Sequence, residues 1–315
     1  MTVAFVIAVA VLLGLALFLS NELRRRTQHE WDRSLRWRKR VRIVLASIAL
    51  LLACMAFWAF LIEPNRLVVR QQTISIGNWP RELNGLKVAV LSDIHVNGTW
   101  IDEKKLRLIV ERTNELQPEL IVILGDYIAY DGLFSRRVLP KEFGPLLKGF
   151  SAPHGVYSVL GNHDWWHDGA EVRAALEQNG LKVLDDEVAQ ISPRGKSVYL
   201  AGFSDLWTRS PKPDHTIANV PEGEPVIALT HNGDIFPRVP RRVQLLLAGH
   251  THGGQVRFPL IGSVVSSSRL GERYERGHVA ENGHHLFVTT GIGTSILAVR
   301  FGVPPEIVLL TLQAQ

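Results

Sequence analysis

The sequence predicts an α/β fold, a layered sandwich, preceded by two transmembrane helices. Three observations predict it. Two uncharged apolar runs, 2–20 and 43–62, each have the length of a bilayer's hydrocarbon core, about 30 Å when helical. From about residue 83, short apolar runs alternate with helical stretches and then give way to strand-rich sequence, the pattern of a layered α/β domain. Finally, Asp, His or Asn stands at five strand-to-loop junctions, and ligands of α/β folds collect at the carboxyl ends of strands.

The first apolar run has no basic residue before it, unlike a signal peptide, and reads as a retained helix. The second follows basic residues, so an export signal is its rival. Leu51-Leu52-Ala53-Cys54 faintly resembles a lipoprotein cleavage box, but the apolar run continues eight residues beyond it. Cys54 is the only cysteine, which excludes an intrachain disulfide and a Cys-rich zinc site.

The 315 residues carry 35 Lys+Arg and 30 Asp+Glu, a formal charge of +5. Residues 21–42 hold nine basic and three acidic side chains, so this segment is +6 and the rest of the chain −1. Basicity confined to one short segment argues against a nucleic-acid binder, whose charge should spread over a docking face. A basic loop between two membrane helices stays cytoplasmic, which predicts a multi-pass protein of the inner membrane with an extracytoplasmic C-terminal domain. The chain thus divides into a membrane hairpin (1–62, with basic loop 21–42), a linker (63–82) and the large α/β domain (83–315). The lipid bilayer is the one partner these features imply; nothing implies an obligate protein partner.

Within the domain, strands are predicted at Leu86–Leu91, Glu119–Leu124 and Val156–Leu160, then at 187–191, 197–202, 226–230, 243–248, 285–290 and 306–312. Helices are predicted over 102–116, 138–149 and 169–179, the last stopped by Gly180. The Pro-rich stretch 207–225 reads as a surface loop. The Gly-, Ser- and Arg-rich stretch 256–284 reads as a flap beside a site.

The junctions carry the chemistry. The first strand runs into Ser92-Asp93-Ile94-His95, an i, i+2 pair that shares one face if the segment is extended. The next junctions are Gly125-Asp126, Gly161-Asn162-His163-Asp164, Thr230-His231 and Gly249-His250-Thr251-His252. Singly, Asp-x-His or a Gly-Asn pair marks a turn as readily as a ligand. Together they make a pocket of nitrogen and oxygen donors without thiolate, suited to Mn²⁺, Fe or Zn²⁺.

The ordered set D-x-H, GD, GNHD, H, GHTH resembles the calcineurin-like metallophosphoesterase superfamily over about residues 85–315. GHTHGGQV at 249–256 and RFGVPPEIVLLTL at 300–312 are similar to its membrane-associated branch. That branch includes bacterial transmembrane phosphodiesterases and enzymes that cleave UDP-2,3-diacylglucosamine in lipid A biosynthesis. The resemblance implies a four-layer αββα sandwich and two divalent metal ions. Asp93, His95 and His252 would hold one metal; Asn162, His231 and His250 would hold the other; Asp126 would bridge both. His163 would sit beside the metals and act on the phosphoryl group or leaving oxygen, with Asp164 orienting it. His167, Arg269 and Arg273 are weaker candidates for substrate contact.

The implied activity is hydrolysis of a phosphodiester or pyrophosphate by a metal-bridging hydroxide, with lipid-linked phosphoesters within the substrate class. Two alternatives stand beside it. A UDP-2,3-diacylglucosamine diphosphatase would act on a lipid made on the cytoplasmic side, against the predicted orientation. A catalytically silent membrane scaffold would keep the fold without needing the intact donor set.

Overall fold

The computed structural model describes residues 33–97, 100–129, 138–266 and 268–315. The described residues fall into two compact units, divided between Ile62 and Glu63.

In the first unit, helix α1 spans Arg33–Phe57 and runs on through a π-helical turn at Trp58–Ile62. Ile43, Val44, Leu50, Leu51 and Leu52 point outward. Trp37–Asn65 is 29 residues long and, by length and composition, able to cross a membrane. It is the one such helix among the described residues; the other expected span, 2–20, lies outside them. The expected basic loop 21–42 is helical from Arg33 onward, as its Arg, Lys and Leu content favours.

The second unit is built on two six-stranded sheets. The first holds β1 (Val68–Ile76), β2 (Leu86–Leu91), β3 (Leu120–Leu124), β4 (Val156–Val159), β5 (Lys182–Val183) and β14 (Glu306–Ala314), in the order β1-β14-β2-β3-β4-β5. The second holds β6 (Glu187–Ile191), β7 (Val198–Gly202), β8 (Val226–Asn232), β9 (Leu245–Gly249), β12 (Gly277–Glu281) and β13 (His284–Val288), in the order β12-β13-β9-β8-β7-β6. A short hairpin, β10 (Arg257–Phe258) with β11 (Gly262–Ser263), stands apart.

Strand pleating divides the side chains into layers. Val88, Val90, Leu120, Val122, Val308, Leu310 and Leu312 meet Leu200, Ile227, Leu229, Leu245 and Leu247 between the sheets. The alternate residues Ala89, Leu91, Ile121 and Ile123 face helices α2 (Glu103–Glu115), α3 (Pro140–Leu147) and α4 (Asn162–Gln178), through Leu106, Ile109, Phe143 and Val172. Ala228, Leu246 and Ala248 turn to the other side, toward α5 (Pro213–Ala218) and the 3-10 segment Gly233–Arg238. These clusters account for the helix-sheet-sheet-helix layering. Central strands buried on both faces read as unbroken apolar runs, which is why LKVAVL, LIVIL and LLLAG are visible in the sequence.

Several expectations need correction. Residues 63–82, expected as a linker, contain β1, which pairs in parallel with β14 along Val68–Ile76. Its Arg70-Gln71-Gln72-Thr73 stretch lies on a half-exposed sheet edge, so its composition is polar. The flap 256–284 contains β10, β11 and β12, and the loop 207–225 contains α5, started by Pro213 at the first helical position. Helix α4 begins at Asn162, well before residue 169, and breaks at Asp168 (φ −168°, ψ 98°).

Candidate metal centre

Five parallel strands end at the same place. β2, β3 and β4 are neighbours in one sheet and β8 and β9 in the other. Their C-terminal junctions deliver Asp93 and His95, Asp126, Asn162 and His163, His231, and His250 and His252. Bonds across the sandwich lock the junctions together. The His250 N–H donates to both Asp93 oxygens (3.2 and 3.0 Å), and His231 Nδ1 lies 2.7 Å from the Leu124 carbonyl. That carbonyl also accepts from Ser92 Oγ at 3.3 Å.

The close approach explains two glycines. A Cβ at Gly249 would stand 2.6 Å from Asp93 Oδ2, and one at Gly161 would stand 2.7 Å from the Asp126 nitrogen. Glycine alone leaves that room.

Asp93, His95, Asp126, His250 and His252 all have positive φ, between 47° and 72°. For a residue with a Cβ this conformation costs about 1–2 kcal/mol, and such strain clusters at functional sites. It corrects the expectation for Asp-x-His. Asp93 and His95 do meet in one cluster, but through left-handed turns and not through the pleat of an extended segment. In GHTH the pair separates, His252 going to one cluster and His250 to the other.

The donor atoms form overlapping groups, each within 4.8 Å: Asp93, His95 and His252; Asp126, His231 and His250; and His95, Asp126 and His163. His252 Nε2 is 3.4 Å from Asp93 Oδ1 and 3.2 Å from His95 Nε2. Asp126 Oδ2 is 3.6 Å from His95 Nε2 and 3.2 Å from His231 Nε2, and His231 Nε2 is 3.1 Å from His250 Nδ1. Asp126 thus stands between the two groups with one oxygen facing both.

Tautomers follow from the partners of the other ring nitrogens. His95 Nδ1 is 3.0 Å from the Ile128 carbonyl, and His231 Nδ1 faces that of Leu124. A carbonyl only accepts, so both rings carry hydrogen on Nδ1. In the neutral ring the Nε2 lone pair then points into the cluster. Burial pushes His95 and His250 down to about 3 and His252 well below the imidazole range, with Arg300 adding to the shift at His252. These rings are neutral donors. Burial also lifts Asp93 to about 6 against the pull of His231. Burial opposes charge on His231, yet Asp126 outweighs it and raises the ring to about 10. Burial likewise opposes the Asp126 carboxylate, while His231, His163 and His95 hold it well below the usual range.

Two buried atoms, Asn162 Oδ1 and His250 Nε2, have no hydrogen-bond partner. Orphaned buried polar atoms are costly, and both sit on residues of the expected second site. Neutral imidazoles, carboxylates and an orphaned amide oxygen fit divalent cations of intermediate softness.

His163 lies at the rim. Its N–H donates to Asp126 Oδ1 at 2.9 Å. Its ring packs edge-on against His95 at 4.7 Å and tilted against Trp166 at 4.9 Å, and Nε2 is 3.5 Å from Ser295 Oγ. Burial lowers its pKa, against the pull of Asp126. Asp164 has a different place from the one expected. Its oxygens accept the backbone N–H groups of Asp126, Tyr127, Ile128 and Gly161 at 2.8–3.2 Å. Four bonds use the acceptor capacity of a carboxylate, so Asp164 holds the two junction loops in register instead of orienting His163.

Two of the three weaker candidates make ion pairs, and the third is placed by its backbone. His167 Nε2 is 3.2 Å from Glu171, Arg273 pairs with Glu281 at 2.9 Å, and the Arg269 N–H donates to Asp234. Of the adjacent tryptophans, Trp166 faces the site, whereas Trp165 joins the helical core beneath Arg209.

Sequence reasoning missed several neighbours. Arg300 is fully buried, donates to the Gly293, Val303 and Thr290 carbonyls, and lies 3.4 Å from His252 Nδ1. Trp207 sets its ring edge-on to His250 at 4.3 Å. Buried Asp205 fixes that loop by accepting from Trp207 N, Thr208 N and Thr208 Oγ1, and it pulls the pKa of His231 and His163 upward. Only the buried Arg300 had any signal, as an isolated cation opening the RFGVPPEIVLLTL motif.

Comparison with known proteins agrees with this geometry. The Calcineurin-like phosphoesterase family profile matches residues 86–254. Uncharacterized metallophosphoesterase YkuE of Bacillus subtilis is 28% identical over 260 residues, 82% of this chain and 89% of that protein. Phosphodiesterase YaeI of Escherichia coli is 30% identical over 233 residues, 72% of this chain and 82% of that one. Danio rerio has a "transmembrane protein with metallophosphoesterase domain" that is 34% identical over 205 residues, 59% of this chain and 44% of that longer protein. With more than half its length matched and the donor groups in place, this chain belongs to the calcineurin-like phosphoesterase family and is a phosphoric ester hydrolase.

Proposed function

We propose that the protein is a membrane-anchored phosphodiesterase that works with two divalent metal ions, Mn, Fe or Zn. The observation that carries this is the place of Asp126 between two groups of imidazole and carboxylate donors, with one oxygen 3.6 Å from His95 Nε2 and 3.2 Å from His231 Nε2. Asp93, His95 and His252 would hold one cation, Asn162, His231 and His250 the other, and Asp126 both. When bound, the cations supply Lewis acidity toward the phosphoryl oxygens and activation of water at neutral pH.

The remaining tasks belong to the chain. His163 stands at the rim with its ring wedged between His95 and Trp166. Its lowered pKa makes the imidazolium a stronger acid toward a leaving oxygen. Asp164 holds Asp126 and the start of α4 in register. Trp207 and Trp166, about half exposed, wall the approach beside His250 and His163. Similarity to Phosphodiesterase YaeI supports a diester substrate. The test is hydrolysis of a chromogenic bis-aryl phosphate by chelator-stripped protein given back Mn²⁺. Turnover restored by the metal is expected; none with any of the three metals, from folded protein, would favour the silent scaffold.

Anchoring in the inner membrane, with the catalytic domain outside the cytoplasm, is the reading that the apolar helix Trp37–Asn65 and the +6 segment 21–42, which overlaps its start, support. A compartment-specific reporter fused after Gln315 is expected to be active outside the cytoplasm. Cytoplasmic activity would reverse the orientation.

A further inference from the structure

Among the described residues of the second unit, the most exposed large apolar side chains gather in two segments. In and after the β10–β11 hairpin, Leu260 is fully exposed, Ile261 is 77% exposed, and Val264 and Val265 are also exposed. In the loop after β13, Ile296 is 88% exposed and Leu297 is exposed beside it. Leu260 and Ile296 also have positive φ, 69° and 64°. A β-branched or bulky side chain seldom adopts that conformation.

The two segments are stitched together. Gln255 donates to the carbonyls of Ser295 and Leu297 and accepts from the Ser295 N–H. Arg257 N–H donates to the Phe301 carbonyl, and the Phe258 ring packs tilted against that of Phe301 at 5.0 Å. Beneath the hairpin is an open pocket of about 480 Å³, lined by Phe258, Leu260, Ile261, Arg257, Glu272 and Arg276 among others. Arg257 is neutralised by Glu272 and Glu275, whereas Arg276 makes no ion pair among the described residues and has Arg257 and Arg70 as well as Glu306 and Glu275 for neighbours. The pocket therefore has largely apolar walls and one cation, Arg276, that no carboxylate pairs with directly. Ser295, at the other end of the stitching, touches His163.

Exposed apolar clusters rimmed by positive charge are rare on soluble surfaces and mark contact with another phase or partner. The occupant is indicated by the chain itself. Only two residues, Arg66 and Leu67, separate Asn65, the last residue of the apolar helix, from the start of β1 at Val68. A tether that short keeps the catalytic unit within reach of the bilayer.

We propose that the β10–β11 hairpin and the 295–297 loop form a lipid-docking surface. Leu260, Ile261 and Ile296 enter a leaflet containing anionic phospholipid, and Arg276 takes a headgroup phosphate. The His163 side of the site is then presented to the headgroup layer, so phosphodiesters of lipids reach it without leaving the membrane. The proposal rests on the anchored phosphodiesterase described above, and its test does not depend on hydrolysis.

The full chain, with Cys54→Ser, is reconstituted in nanodiscs of phosphatidylcholine and phosphatidylglycerol. Single cysteines at Leu260→Cys, Ile296→Cys, Leu52→Cys and Glu222→Cys carry an environment-sensitive fluorophore. Quenching by doxyl lipids at 260 and 296 is expected to exceed that at exposed position 222 by about threefold, with iodide quenching correspondingly weaker. Iodide quenching at 260 and 296 equal to that at 222 would overturn the proposal. Protection from both quenchers would also overturn it, by showing a protein in place of lipid. Position 52, in the apolar helix, reports anchoring separately from docking, and a catalytically silent protein would still give the expected pattern.

Discussion

Asp126→Ala is expected to abolish turnover of the bis-aryl phosphate and to disable both donor groups at once. The carboxylate contacts both, with Oδ2 facing His95 and His231 and Oδ1 accepting the His163 N–H. The loss should exceed the ~10²–10³-fold typical of removing one transition-state charge donor, because two groups lose a ligand together. Metal titration carries a second signature. In the metal-free protein, burial opposes charge on His231 but Asp126 raises its pKa to about 10. The ring is therefore protonated at pH 7, and a metal must displace that proton. Calorimetric titration in buffers of different ionisation enthalpy should show proton release for the parent protein, and tighter binding as pH rises. Without Asp126 the His231 pKa falls, so release at pH 7 should largely disappear. Unchanged release and activity in Asp126→Ala would remove Asp126 from the centre.

Asp164→Ala is expected to be among the most destabilising substitutions in the second unit. It leaves the buried N–H groups of Asp126, Tyr127, Ile128 and Gly161 without their acceptor. Each orphaned donor costs about 1–3 kcal/mol. Shared relaxation and water entry should bring the sum to ~3–5 kcal/mol, or a fall in Tm of roughly 10 °C for a domain of this size. Asp164→Asn keeps one carbonyl oxygen and should lie between the two. Because Asp164 is a positioning residue, metal affinity should fall alongside stability in both variants. A variant that kept its Tm and metal affinity and lost only turnover would instead make Asp164 a direct partner of the reaction.

Much of the fold is legible because its central strands are buried on both faces. LKVAVL and LIVIL read as strands between two apolar layers, and their predicted bounds agree with the structure to within a residue. The edge strand β1 is not legible, since its outer face is wet and its residues polar. The flap hides β12 and a hairpin for a related reason: short strands with few buried residues leave no periodicity to read. At the site, residue identity is legible where a glycine-flanked polar motif interrupts an apolar run. Asp205, Trp207, Ser295 and Arg300 escape because each comes from a segment without such a motif and reaches the cluster only through folding.

By itself the sequence determined the strand-helix rhythm, the donor types at five junctions and the confinement of positive charge to 21–42. These are local properties, set by side-chain chemistry and period. The tertiary structure decided which donors share a centre. Only the packing of one sheet on the other brings His231 and His250 to Asp126, and only left-handed backbone at the junctions turns His250 and His252 to different groups. It also decided that Asp164 serves the backbone and that exposed Leu260 and Ile296 belong to stitched neighbouring segments. Contacts between residues more than a hundred positions apart depend on sheet order and loop geometry, which no local pattern encodes.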